Sequence, residues 1–155
     1  MGSIKDEVRQ VKPFASREDE VYVSIVRTAA SLMRRETELL KGYDLTPPQY
    51  NVLRILRGAG RGGLICREIG ERMVTYDPDV TKLLDRLETR SLVTRERQQQ
   101  DRRVIVVHIS KEGLKLLKEI DRPILTLTRK LLGHLGSKRL AALNELLEAA
   151  RERAA

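Results

Sequence analysis

Apolar residues recur at spacings of three and four from about Arg17 to Lys41: Val21, Ile25, Val26, Ala29, Leu32, Met33, Leu39 and Leu40. That is the helical period, so the stretch predicts an amphipathic helix. Gly42, in "KGYD", is placed to end it in a left-handed cap. Residues 1–16 are polar and read as an arm. "LTPPQYNVLRIL" opens a second helix. Thr46 is its candidate N-cap, and Gln49 completes a capping box. Pro47 suits the first helical position, where its missing N–H would be unpaired anyway. Leu45 and Tyr50 occupy the positions of a hydrophobic staple. Val52, Leu53, Ile55 and Leu56 supply the buried face, and "GAGRGG" then breaks the chain.

Two short helices follow, "ICREIGERM" over about Ile65 to Met73 and "PDVTKLLDRLETR" after the tight connection "VTYD". Asp77 is the candidate cap of the second, with Pro78 in its first turn. That helix buries Val80, Leu83, Leu84 and Leu87 and exposes Asp79, Thr81, Lys82, Asp85 and Arg86. "SLVTRER" and "RVIVVHI" are β-rich and predict a hairpin. Ser110 caps a long helix that Pro123 is expected to kink or interrupt near Asp121. Gly136 and Ser137 separate a last amphipathic helix, "KRLAALNELLEAARER", with Leu140, Leu143, Leu146, Leu147 and Ala150 on one side. The expected fold is mainly α with a small β-hairpin wing. A winged helix-turn-helix lobe, residues 45–109, lies between terminal helices at 17–41 and 110–153 in one domain of 155 residues.

Hydrophobic residues make up 41% of the chain but aromatics only 3%, so the core must be aliphatic. No apolar run approaches the length of a membrane span, and the first residues lack the apolar stretch of a signal peptide. A cytoplasmic protein without membrane contact is expected. The single cysteine excludes an intrachain disulfide, and no metal-ligand spacing or cofactor motif is present. "GAGRGG" lacks the Lys-Ser/Thr of a phosphate-binding loop, and no nucleophile-base arrangement is visible, so an enzyme is not expected. The formal net charge of +8 favours an anionic partner. Its placement is more telling: Arg90 to Arg103 holds five arginines against Glu96 and Asp101.

The stretch "DVTKLLDRLETRSLVTRERQQQDRRVIVVHISKEG", Asp79 to Gly113, resembles the multiple-antibiotic-resistance-regulator (MarR) family of bacterial transcription factors. The Val-Thr-basic helix start, the Asp-Arg-Leu-Glu within it and the Leu-Val strand entry all match. So do the Asp-Arg-Arg wing and the Ser-x-x-Gly start of the next helix. The likeness extends over roughly Val21 to Leu147. One position departs: the family usually has Gly before the Leu-Val strand, where this chain has Ser91. The resemblance implies a homodimer held by the first and last helices. It also implies a short palindromic site in double-stranded DNA, and a repressor released by a small molecule or an oxidant.

In that reading Thr81 and Lys82, near the start of the recognition helix, face bases in the major groove, and Arg86 reaches a base or a phosphate. Asp79 is awkward beside phosphates unless it caps the helix or accepts from a cytosine amine. Arg95 and Arg97 alternate along a strand and so face the same way, towards the DNA backbone. Arg102 or Arg103 enters the minor groove, whose negative potential attracts arginine. Asp101 would repel phosphate, so its role is to bond the other arginine and brace the wing tip. The stripe Leu114, Leu117, Ile120, Ile124, Leu131 and Leu135 joins those of the first and last helices as a dimer interface.

Effectors of the family lie between the dimer helices and the DNA-binding lobe, which points to Met33, Tyr43, Tyr50 and His134, each of which also reads as a core or surface residue. Cys66, beside Arg67 at a helix start, is a candidate redox-sensing thiol. The family's best-known peroxide sensors carry their cysteine near the start of the chain's first helix, where this chain has none. A winged-helix adaptor that binds protein rather than DNA is the remaining alternative.

Overall fold

The structure, a computed structural model, is described over residues 2–152. Met1, at the start of the expected arm, lies outside those residues. So does Arg153, the last residue of the expected terminal helix, with Ala154 and Ala155. The chain is mostly helical, with one small antiparallel sheet. The helices are α1 (Ile4–Glu7), α2 (Arg17–Lys41), α3 (Pro47–Ala59), α4 (Cys66–Arg72), α5 (Val80–Thr89), α6 (Lys111–Leu132) and α7 (Gly136–Glu152). The strands are β1 (Leu64–Ile65), β2 (Val93–Arg97) and β3 (Ile105–Ile109), in the order β1-β3-β2.

Local chemistry explains most of the boundaries. Ser16 accepts from the Asp19 N–H and starts α2. Thr46 and Gln49 form the expected reciprocal box at α3, and Leu45 and Tyr50 are both buried. Ser110 starts α6 by accepting from Gly113 N–H, while its own hydroxyl donates to the Ser91 carbonyl at 2.7 Å. Gly113 has no room for a side chain: a Cβ there would collide with the Leu92 carbonyl and sit 2.8 Å from Ile109 Cγ1. The Ser-x-x-Gly pattern therefore serves to dock the start of α6 on the base of the hairpin.

Several expectations are corrected. The N-terminal arm contains a helical turn, α1, closed by a Ser3–Asp6 capping box. Gly42 is right-handed, with φ −63°; the left-handed residue of that corner is Asp44, φ 53°, a conformation that Asp tolerates better than most. Leu64 and Ile65 form a third strand, paired with Val107 and Val106. α5 starts at Val80, and its cap is Asp79, not Asp77; Asp77 instead accepts from the Asp79 N–H. α6 passes through Pro123 without interruption. Leu117 and Ile120, fully buried, and Ile124, packed on the same core, hold it on either side of that residue. For the same reason Leu117 and Ile120 belong to the core rather than to an interface stripe.

The core gathers α2, α3, α4, α5, the hairpin and the first half of α6 around Leu53, Leu56, Ile69, Leu87 and Leu117. Arg57 of α3 and Asp121 of α6 clamp its edge with two hydrogen bonds of 2.9 and 3.0 Å. Val21, Tyr22, Ile25 and Val26 of α2, Leu125 of α6, and Leu143 and Leu146 of α7 remain exposed. No helix among the described residues is long and apolar enough to cross a membrane.

Candidate nucleic-acid interface

α4, the turn Met73–Asp79 and α5 form the helix-turn-helix, and β2 and β3 form the wing beside it. Asp79 builds the start of α5 twice over. Its Oδ1 accepts from the Lys82 N–H at 3.1 Å, and its Oδ2 lies 2.7 Å from Lys82 Nζ. The hydrogen bonds from Lys82, side chain first, hold the Asp79 carboxyl below its ordinary value and the Lys82 ammonium above its own. The carboxylate is therefore a cap, and it also holds the helix's foremost cation.

The opposite edge of α5 is tied to the wing. Arg95, at the middle of β2, reaches Asp85 at 2.7 Å and Glu88 at 3.3 Å, and donates weakly to the Thr81 carbonyl. Its side chain is only 23% exposed. Of the cations expected at DNA, Lys82 and Arg95 are thus engaged within the lobe, with Arg95 fixing helix to strand. Arg86, Arg97, Arg102 and Arg103 are exposed and form no ion pair among the described residues. Thr81 is exposed, its hydroxyl 3.8 Å from the Cys66 sulfur.

The wing tip is organised through its main chain. Gln98 N–H donates to the Val104 carbonyl, and Val104 N–H to the Asp101 carbonyl. The Asp101 carboxylate accepts from the Arg103 backbone N–H at 2.9 Å. The expected bond from Asp101 to an arginine side chain is replaced by this backbone bond, which leaves both guanidinium groups unengaged. Gln98, Gln99 and Gln100 are exposed around it.

At the C-terminus of α5, Ser91 holds φ 57°. The left-handed turn that glycine would normally make is present with serine in it. Ser91 N–H bonds the Glu88 carbonyl and Leu92 N–H the Leu87 carbonyl. Arg90, half-buried, donates to the carbonyls of Asp44 and Tyr43 at the α2–α3 corner. Arg90 carries no signal of this role in the sequence, because its partners lie 46 and 47 residues away.

Helix α3 and the turn enclose a cleft of about 340 Å3 with α2. Met33 and Tyr50 line it together; Tyr43 and His134 do not. Tyr43 packs on the core, and His134 is exposed in the 3-10 turn Gly133–Leu135 before α7. Asn51, at the cleft wall, accepts from the Val74 N–H at 2.8 Å and so fastens the turn to α3. Cys66 is partly buried at the first position of α4, and the neighbouring Arg67 is paired with Glu71 rather than with the thiol.

The MarR family model matches residues 45–105, which hold the helix-turn-helix, β2 and the wing tip, and end at the first residue of β3. A MarR transcription factor from Planctomyces limnophilus is 36% identical, with a TM-score of 0.69; the similarity covers 88% of this chain and 99% of that one. The chain belongs to the MarR family. An uncharacterised HTH-type transcriptional regulator of Bacillus subtilis, YsmB, is 30% identical over 101 residues, 65% of this chain and 68% of its own length. The Staphylococcus aureus MepR–DNA complex shares the fold, with a TM-score of 0.77 at 21% identity over 85% of this chain and 97% of that one. This MarR-family chain is a DNA-binding transcriptional regulator.

Proposed function

We propose that this regulator is a cytoplasmic homodimeric repressor that grips a palindromic operator and is released by a small molecule. The observation that carries the reading is the set of unengaged arginines: Arg86 on α5, and Arg97, Arg102 and Arg103 on the wing. α5 reads the major groove through Thr81 and Lys82, with Lys82 exchanging Asp79 for a base or phosphate. One tip arginine enters the minor groove, and the main-chain bond from Asp101 sets its approach. Arg95 holds strand and helix in register.

Residues 17–41 and the helices after residue 110 form the dimer in this reading. Their exposed Val21, Ile25, Leu125, Leu143 and Leu146 favour it, since apolar faces of that extent mark an interface. Two-fold symmetry then repeats the recognition helix about one duplex turn away. The effector occupies the cleft at Met33 and Tyr50, where it would touch Val74 and Thr75 of the turn directly. The test is a gel shift on the DNA upstream of the chain's own gene, with solution mass measured in parallel. Arg102→Ala with Arg103→Ala is expected to weaken binding about 100-fold and to flatten its salt dependence; unchanged affinity and slope would overturn the wing assignment.

A second reading is favoured by the contact between Cys66 and Thr81, because oxidation of that sulfur would press directly on the recognition helix. Dilute peroxide then weakens operator binding, and Cys66→Ser abolishes the response. Equal peroxide responses in both proteins, or none in either, would remove this reading.

A further inference from the structure

The effector cleft adjoins a second one, of about 180 Å3, between α2 and α6, and the two share Met33 and Glu36. The walls of the second cleft are aliphatic, with Leu32, Ile124, Leu127 and Leu131 among them. Its one hydroxyl is Thr128 and its one ionisable group is Glu36. Glu36 is half-buried and has no hydrogen bond or ion pair among the described residues. Burial pushes its carboxyl up from the ordinary value, and the charge of Arg54 opposes this only in part. Arg54 is beyond ion-pair distance, its guanidinium standing 5.8 Å from the centre of the Tyr50 ring.

A half-buried carboxylate with no counter-charge in contact is unfavourable, and the surrounding apolar wall strengthens its attraction for a cation that reaches it. A strongly hydrated cation would lose too much water for one carboxylate to offset. A weakly hydrated cation with an apolar body loses little and covers the aliphatic wall at the same time. An anionic aromatic would meet Glu36 as a like charge.

We infer that the effector is a lipophilic cation, an apolar body bearing a weakly hydrated positive centre, that spans the two clefts where they meet at Met33 and Glu36, with its charge against Glu36 and part of its body along the aliphatic wall between α2 and α6. This rests on the effector-release reading above and adds the chemical class of the ligand. The test uses the full chain without DNA, titrated calorimetrically with tetraphenylphosphonium and with tetraphenylborate, which have one shape and opposite charges. The protein's net charge of +8 attracts the borate at long range, so a preference for the phosphonium must arise locally. The phosphonium is expected to bind about tenfold tighter or more. Glu36→Gln, equal in size and checked by its melting curve, is expected to remove that preference while leaving borate binding equal or stronger.

Borate binding as tight as phosphonium binding, or a preference that survives Glu36→Gln, would overturn the inference. So would a dimer that binds no phosphonium because a second copy fills the cleft. Glu36-dependent phosphonium binding that leaves the operator bound supports the ligand class and defeats the release reading. Release by a different small molecule, with no phosphonium bound, defeats the ligand class and leaves release standing.

Discussion

The carboxylate of Asp79 both caps the recognition helix and holds Lys82 Nζ at 2.7 Å. In the proposed DNA-bound state, DNA must therefore compete with a residue of the protein for Lys82. Asp79→Asn keeps an acceptor for the helix N–H and removes the charge. It is expected to raise general DNA affinity several-fold and to steepen the salt dependence by about one counterion. Fluorescence anisotropy over a salt series checks both; unchanged affinity and slope would show that Lys82 is not at the DNA. The pairing lowers the Asp79 value, so its stabilising effect is present above pH 3.8 and is lost as pH falls through the lower folded value. Between pH 5 and 8 the difference between Asp79→Asn and the parent is accordingly expected to be flat.

The wing tip depends on a single carboxylate. Asp101→Ala removes the acceptor of the Arg103 N–H without removing either arginine. Binding to operator is expected to fall by about tenfold, the scale of one lost hydrogen bond to a charged group. The salt slope is expected to stay near that of the parent, because no cation is deleted. A slope that falls along with the affinity would instead place Asp101 in the charge balance of the contact itself.

Ser91 pays a conformational cost in a left-handed turn that glycine would enter freely. Its φ is 57°, its side chain is exposed, and its useful bonds are made by main-chain atoms. Ser91→Gly is therefore expected to stabilise the fold by up to about 1 kcal/mol, or roughly 2–4 °C in melting temperature. Ser91→Val, β-branched in the same conformation, is expected to move the melting curve the other way. Equal melting temperatures for all three proteins would mean that the turn relaxes in solution.

Gly113 has the opposite character. Its φ is ordinary, and what excludes a side chain is the Leu92 carbonyl and Ile109. Gly113→Ala is expected to cost about 1–3 kcal/mol by overpacking. Because the clash lies at the base of the hairpin, protease cleavage at the wing should rise before the whole domain unfolds. A variant as stable and as resistant as the parent would show that α6 can shift to accept the methyl group.

The elements that could be read from sequence were those defined by near neighbours. α2 is observed at the bounds its apolar period and flanks predict, and Thr46, Gln49 and Pro47 placed the start of α3. β1 was illegible because two residues carry no alternation; Leu64 and Ile65 are a strand only because β3 lies alongside. Asp77, followed by Pro78, was the expected cap, but the turn runs two residues further and α5 starts at Val80, so Asp79 takes that role. Pro123 was read from its own ring, whereas the packing of α6 on the core outweighs that local penalty. In the site, the kind of charge was legible and its engagement was not. Arg95 looked like its neighbour Arg97 until Asp85 and Glu88, from another element, were placed beside it.

Arg90 closes the far end of α5 onto the carbonyls of Tyr43 and Asp44, the last corner before α3. Helix α5 is thus moored to the corner that follows α2, at the opposite end from Thr81 and Lys82. A tilt of α2 at that corner would swing α5 with it. Sites whose half-site spacing no longer suits the swung helices would be lost first, so an effector that does no more than lean on α2 would change which sequences are occupied before it empties them all.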